Sequence, residues 1–93
     1  VEVQMDVCCQ FLVKGRVQMV GFRYHTAHQG LKLGLSGYAK NLNNGSVEVV
    51  ACGEEMRVAQ LAKWLQQGPI TASVESLDAQ PIPFQHHSGF KIL

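Results

Sequence analysis

Between a stretch that alternates like a strand and one that repeats like a helix lies Gly15-Arg16-Val17-Gln18-Met19-Val20-Gly21-Phe22-Arg23, a glycine-flanked loop closed by one arginine. Ahead of it, Val7, Cys9, Phe11 and Val13 alternate with Cys8, Gln10, Leu12 and Lys14, the period of a strand with one buried face. Behind it, Val20, Tyr24, Ala27 and Leu31 recur at helical spacing, and Gly34 stands where a helix-ending glycine belongs. Gly30 falls inside this helix, where it is expected to cost about 1 kcal/mol relative to alanine.

The rest of the chain continues the alternation of elements. Leu35 to Asn41 and Ser46 to Gly53 read as two strands. Asn43-Asn44-Gly45 joins them as a hairpin turn, because Asn and Gly tolerate positive φ. Glu54 to Gln67 is the clearest helix, with acidic residues at its start, an apolar face of Val58, Leu61, Ala62 and Leu65, and a Gly68-Pro69 stop. Ala72 to Ala79 reads as a fourth strand, Pro81 and Pro83 break the pattern, and Gly89 to Ile92 adds a short terminal strand. The order β-α-β-β-α-β implies an α+β ferredoxin-like sandwich: a four- to five-stranded antiparallel sheet with two helices on one face, as one domain over residues 1–93.

In that topology strands one and three are antiparallel neighbours. Val47, Val49 and Ala51 then face the helices, while Ser46, Glu48, Val50 and Cys52 take the other face with Cys8. Cys8 and Cys52 are thereby brought close enough to pair. Two free thiols are the expectation in a reducing compartment and a disulfide is the alternative, with three cysteines in all and no repeated metal spacing. The histidines, His25, His28, His86 and His87, read as solvated side chains, since no carboxylate or cysteine completes a metal set with them.

Charge narrows the function. Among 93 residues the net charge is only +1, which argues against nucleic-acid or polybasic membrane binding, because both need clustered basic surface. No apolar run approaches the ~20 residues of a membrane span. The opening residues Val1 to Asp6 lack a basic-then-apolar leader pattern, so the expected compartment is the cytoplasm.

Consecutive loop amides that curl around a helix start make an anion site, and an arginine one short turn into the helix offers a fork matched to two phosphate oxygens. The competing reading is an ordinary strand-to-helix turn with a solvated arginine. Asn41 has two readings as well. Asparagine at a strand end commonly bonds its own backbone as a turn former. In the split βαβ arrangement, however, strands one and two run parallel, so Asn41 comes to the mouth of the loop and can orient a nucleophile there.

The two segments together resemble the acylphosphatase family. Its first signature, Gly-x-Val-Gln-Gly-Val-x-Phe-Arg, is matched in step by Gly15, Val17, Gln18, Val20, Phe22 and Arg23. Its second is matched by Gly37, Tyr38, Ala39, Lys40, Asn41, Gly45, Val47 and Gly53, and the likeness continues through Gly68-Pro69, Ala72-x-Val74 and Phe90-x-Ile92. The resemblance implies a hydrolase needing neither metal nor cofactor, which splits the carboxyl–phosphate bond of acyl phosphates to a carboxylate and inorganic phosphate. The backbone from Arg16 through Val17, Gln18, Met19, Val20 and Gly21 would cradle the phosphoryl oxygens, with Arg23 and Asn41 as catalytic residues holding charge and water. Its partners would be small acyl phosphates and inorganic phosphate, with no nucleic acid and no membrane, acting on a monomer.

One position departs from the family. Met19 stands where the signature has glycine. If that position needs left-handed backbone, methionine costs about 1–2 kcal/mol there. The alternative function is accordingly a weakly active or non-catalytic phosphate- or acyl-phosphate-binding module.

Overall fold

The computed structural model describes residues 5–93, so the first four residues of the opening segment lie outside the described part. The chain runs β1 (Asp6–Arg16), α1 (Phe22–Lys32), β2 (Ser36–Asn41), β3 (Val47–Glu54), α2 (Glu55–Leu65), β4 (Ser73–Ile82) and β5 (Phe90–Ile92). The strands form one sheet in the order β4-β1-β3-β2-β5. β3 is antiparallel to both β1 and β2, so β1 and β2 run the same way and deliver the loop after β1 and the end of β2 to one edge of the sheet.

Alternation decides the faces. Phe11, Val13, Val47, Val49 and Ala51 point to the helices and are buried with Phe22, Ala27, Val58, Leu61 and Leu65. Burial of side chains of this size contributes about 1.5–3 kcal/mol each for the larger ones, which makes this layer the main source of stability. The opposite face carries a smaller cluster, Cys8, Val50 and Cys52, flanked by Tyr38 and Ile82. Beside it Glu48 accepts from Gln10 Nε2 at 2.6 Å and from the Tyr38 hydroxyl at 2.9 Å. Burial, then the Glu48 carboxylate, push the Tyr38 hydroxyl up to about 12, so it remains a donor.

The α+β ferredoxin-like architecture holds, with three differences from the sequence expectation. β5 pairs parallel to β2, so the sheet is mixed rather than wholly antiparallel. The chain after β4 returns along the open face, where the Gln85 amide donates to Cys8 Sγ at 3.2 Å, and enters the far edge in the same sense as β2. β4 also runs on through Pro81 to Ile82. It is an edge strand, and an edge tolerates a proline whose nitrogen faces away from the ladder.

The third difference concerns α1. Its buried residues are Phe22, Thr26, Ala27 and Gly30, while Tyr24 and Leu31 are exposed. Small side chains let the helix approach the sheet closely, and the space above Gly30 is taken by the Phe90 ring. A Cβ on Gly30 would lie 2.5 Å from two of the ring carbons. The expected helix penalty of this glycine is therefore offset by the packing of β5. Gly34 does end the helix: Gly34 N–H donates to Leu31 O and Leu35 N–H to Gly30 O, the paired bonds of a Schellman cap. Gly30→Ala, a substitution that helix propensity favours, is expected to destabilise by about 1–3 kcal/mol through overpacking. Urea unfolding measures it; a stabilised variant would show that Phe90 yields at no cost.

Candidate active site

The loop after β1 occupies residues 17–21 and enters α1 through Gly21, whose φ of 77° is left-handed. Gly21 supplies no side-chain cap to the helix, so the amides of the first turn stay available to a ligand. The amides of Gln18, Met19, Val20 and Gly21 likewise make no hydrogen bond to another protein group among the described residues. Unpaired donors that converge at a helix start form a site for an anion.

The loop is held from three sides. Val17 is buried in the core and Val20 packs against it. The Thr71 hydroxyl donates to Val20 O at 2.7 Å, fixing the loop to the connection after α2. The Gln18 side chain turns away from the anion site and donates through Nε2 to Leu42 O at 2.8 Å and Ser46 O at 2.9 Å. It thereby ties the loop to the hairpin that carries Asn41. The sequence places Gln18 in the loop but gives no sign that its amide is a clamp, because both acceptors are backbone carbonyls of a turn more than twenty residues away.

A cavity of about 110 Å³ opens beside the loop, walled by Val17, Met19, Gly21, Phe22, Arg23, Tyr24 and Ile92. It is far smaller than a drug-sized site, and of a scale for a small anion. Arg23 Nη1 donates to Leu93 O at 2.7 Å, while its Nε and Nη2 have no partner among the described residues. Leu93 O also accepts from the Asn41 backbone N–H at 3.3 Å, so the residue after β5 links the two through a single oxygen. Asn41 itself does not wall the cavity.

The Asn41 side chain makes no local backbone bond. Its Oδ1 is buried and has no partner among the described residues, a condition that buried polar atoms rarely tolerate without a functional reason. The turn-forming role belongs instead to Asn44, whose Oδ1 accepts from Ser46 N–H at 3.0 Å. Arg16 also sits apart: it is the last residue of β1, paired with Ser73, and lines a separate polar cavity with Lys14, Asn44, Ser46 and Glu75.

Met19 is the single described non-glycine residue with positive φ, at 63°. The left-handed region costs a methionine about 1–2 kcal/mol. Met19→Gly should relieve that strain against an unfolded-state entropy penalty of about 0.4–1 kcal/mol. The expected net is a stabilisation of up to about 1.5 kcal/mol, or a melting point higher by about 6–12 °C at that limit. Calorimetry decides it, and a lower melting point would mean that the Met19 side chain contributes contacts exceeding the strain.

Cys8 and Cys52 stand opposite each other in the β1–β3 register, Cα–Cα 4.1 Å, with their sulfurs bonded at 2.00 Å. They lie on the sheet face away from the helices, outside the anion cavity. Cys9 is free, and burial raises its thiol pKa more than the hydrogen bond to Gln80 O lowers it, which disfavours a reactive thiolate. No grouping of three or more His, Cys, Asp or Glu that could hold a metal occurs among the described residues. No helix there is long and apolar enough to cross a membrane.

Comparison with known proteins agrees with this geometry. A family model described as Acylphosphatase matches residues 9–92. An acylphosphatase of Vibrio parahaemolyticus is 61% identical over 90 residues, covering 96% of this chain and 100% of the relative. One from Vibrio cholerae serotype O1 (strain El Tor Inaba N16961) is 61% identical over 87 residues, covering 92% and 96%. The solved structure of an acylphosphatase from Coxiella burnetii superposes with a TM-score of 0.91 at 36% identity, over 95% of this chain and 93% of that one.

Proposed function

Because this chain belongs to the acylphosphatase family, we propose that Arg23, Asn41 and the backbone of the loop after β1 divide the work of hydrolysing an acyl phosphate. The reaction yields a carboxylate and inorganic phosphate. The phosphoryl group lies against the amides from Met19 to Arg23, with Nε and Nη2 of Arg23 bound to two of its oxygens. Gln18 contributes its backbone and keeps the loop on the hairpin, and Val17, Val20 and Gly21 set its curvature. Arg16, at the end of β1, lines the separate polar cavity and stands outside this cradle.

Asn41 Oδ1 accepts a hydrogen bond from the attacking water and holds it in line with the scissile bond. The water oxygen bonds to phosphorus as the phosphorus–oxygen bond to the acyl group breaks. The electron pair leaves with the carboxylate, and a phosphoryl oxygen takes the water proton. A mixed anhydride has a good leaving group, so positioning and charge stabilisation suffice without a covalent nucleophile or a metal. The observation that carries this reading is the cavity shared by the loop, the helix start and a guanidinium with two free nitrogens.

The protein acts as a single domain over residues 1–93, as a cytoplasmic monomer on small acyl phosphates. The Cys8–Cys52 bond is structural. Both sulfurs are buried, which denies reducing thiols the access that exchange requires. The test is release of inorganic phosphate from benzoyl phosphate, with and without EDTA. Release unaffected by the chelator supports the reading; absent release overturns it, and release abolished by EDTA overturns its metal-free form.

A further inference from the structure

Where the end of β1, the β2–β3 turn and the start of β4 meet lies the second, polar cavity, about 570 Å³ in volume, which the proposed reaction leaves unused. Lys14, Arg16, Asn44, Ser46 and Glu75 line it, and it shares no residue with the walls of the anion cavity. Its size is that of a small-molecule site. Ser46 is only 4% exposed, yet its hydroxyl makes no hydrogen bond among the described residues, a rare state for a buried polar group. Asn44 spends its Oδ1 on the Ser46 N–H and keeps its Nδ2 uncommitted. The charges are unspent as well: the single ion pair among the described residues is Arg57 with Glu54, so Lys14, Arg16 and Glu75 form none. Glu75 reaches the cavity through a β-bulge. Lys14 pairs with Ser76 and Gly15 with Val74, which leaves Glu75 as the extra residue of β4, and bulges of this kind re-aim a side chain. Gly15 permits the bulge, with φ of 129° and no room for a Cβ against Ser73 O and the Glu75 nitrogen.

From this set of groups we infer that the cavity is a second ligand site, for a hydroxylated phosphate monoester of the sugar phosphate class. A monoester phosphate carries about −1.5 to −2 charge at neutral pH, which matches the two cations Lys14 and Arg16, whereas a carboxylate would neutralise only one of them. The Ser46 hydroxyl and Asn44 Nδ2 supply neutral donors beside them. Glu75 accepts from ligand hydroxyls and repels a bare anion, so the site selects a ligand that presents a phosphate at one end and donors at the other. The inference goes beyond the hydrolase reading and does not depend on it, because a phosphate monoester has no acyl leaving group and is a ligand here rather than a substrate.

The experiment titrates the parent protein with glucose 6-phosphate, glucose and inorganic phosphate, and follows the backbone amides by heteronuclear NMR. Gly15, Gly45 and Ser46 report this site while Met19 and Gly21 report the cradle, so the two occupancies are read separately in one spectrum. Glucose 6-phosphate should shift the first set to saturation and glucose should not. Inorganic phosphate, without hydroxyls for Glu75, should bind there about three- to ten-fold more weakly. Lys14→Gln should weaken glucose 6-phosphate at this site about three- to ten-fold, while the cradle amides answer inorganic phosphate as in the parent. Glu75→Ala should reduce the preference for glucose 6-phosphate over inorganic phosphate, since it removes both the hydroxyl acceptor and the repulsion of a bare anion. Both side chains are exposed, and an unchanged cradle response shows that each variant is folded. Shifts confined to the cradle amides, or equal affinity in the parent and Lys14→Gln, overturn the site. Equal binding of inorganic phosphate and glucose 6-phosphate by the parent overturns the ligand class.

Discussion

Arg23→Ala is expected to lower kcat/KM for an acyl phosphate by about 10³-fold or more, the scale on which a single arginine stabilises charge in phosphoryl transfer. Arg23 is the one described side chain that walls the anion cavity with a permanent positive charge, and two of its nitrogens are uncommitted. Arg23→Lys keeps the charge but not the fork, and one ammonium cannot serve both Leu93 O and two phosphoryl oxygens. A loss of at least about 100-fold is therefore expected from the lysine variant too. Competitive inhibition by inorganic phosphate should weaken in parallel, because the same contacts hold substrate and product. Stability should change little, since the hydrogen bond lost to Leu93 O is exposed and worth about 0.5–1.5 kcal/mol at most. Steady-state kinetics with a phosphate inhibition series measures all of this. Robust turnover by Arg23→Ala would remove the guanidinium from the mechanism.

Much of this arrangement is legible in the sequence because it depends on local rules. Alternation in β1 and β3 fixes which side chains meet the helices, and Asn43-Asn44-Gly45 forms the turn its residues favour. The parallel course of β1 and β2 follows from the element order, and with it the nearness of the loop to the end of β2. What local pattern does not carry is contact between distant segments. Helical spacing alone puts the α1 stripe through Tyr24 and Leu31, yet the face is chosen by Phe90, sixty residues beyond Gly30, and Tyr24 is left in solvent beside the cavity. Gln18 belongs to a recognisable loop, but its clamp depends on two carbonyls of the hairpin. Leu93 O could not be foreseen as the acceptor joining Arg23 to Asn41, because β5 is three residues long and its parallel register is set by tertiary packing.

Asn41 is where the two readings of one residue type separate most sharply by experiment. A turn-forming asparagine that bonds its own backbone loses about 0.5–2 kcal/mol of stability on replacement by alanine, judged by caps of the same kind. Here Asn44 makes that local bond and Asn41 does not. Removal of a buried acceptor with no protein partner costs no hydrogen bond within the chain and eliminates a desolvation penalty, so Asn41→Ala should be neutral or slightly stabilising. The Asn41 amide, which donates to Leu93 O, is retained in the variant, leaving β5 and the orientation of Arg23 in place. The chemical effect should be the reverse of small. A water without its orienting acceptor must find the in-line geometry by chance, and kcat should fall about 10²–10³-fold while inhibition by inorganic phosphate stays within about twofold. Asn41→Asp keeps an acceptor but sets a negative charge beside an anion, so phosphate inhibition should weaken in that variant alone. A fall in kcat with stability and phosphate affinity intact assigns Asn41 to the water; matched losses of stability and phosphate affinity would return it to the turn.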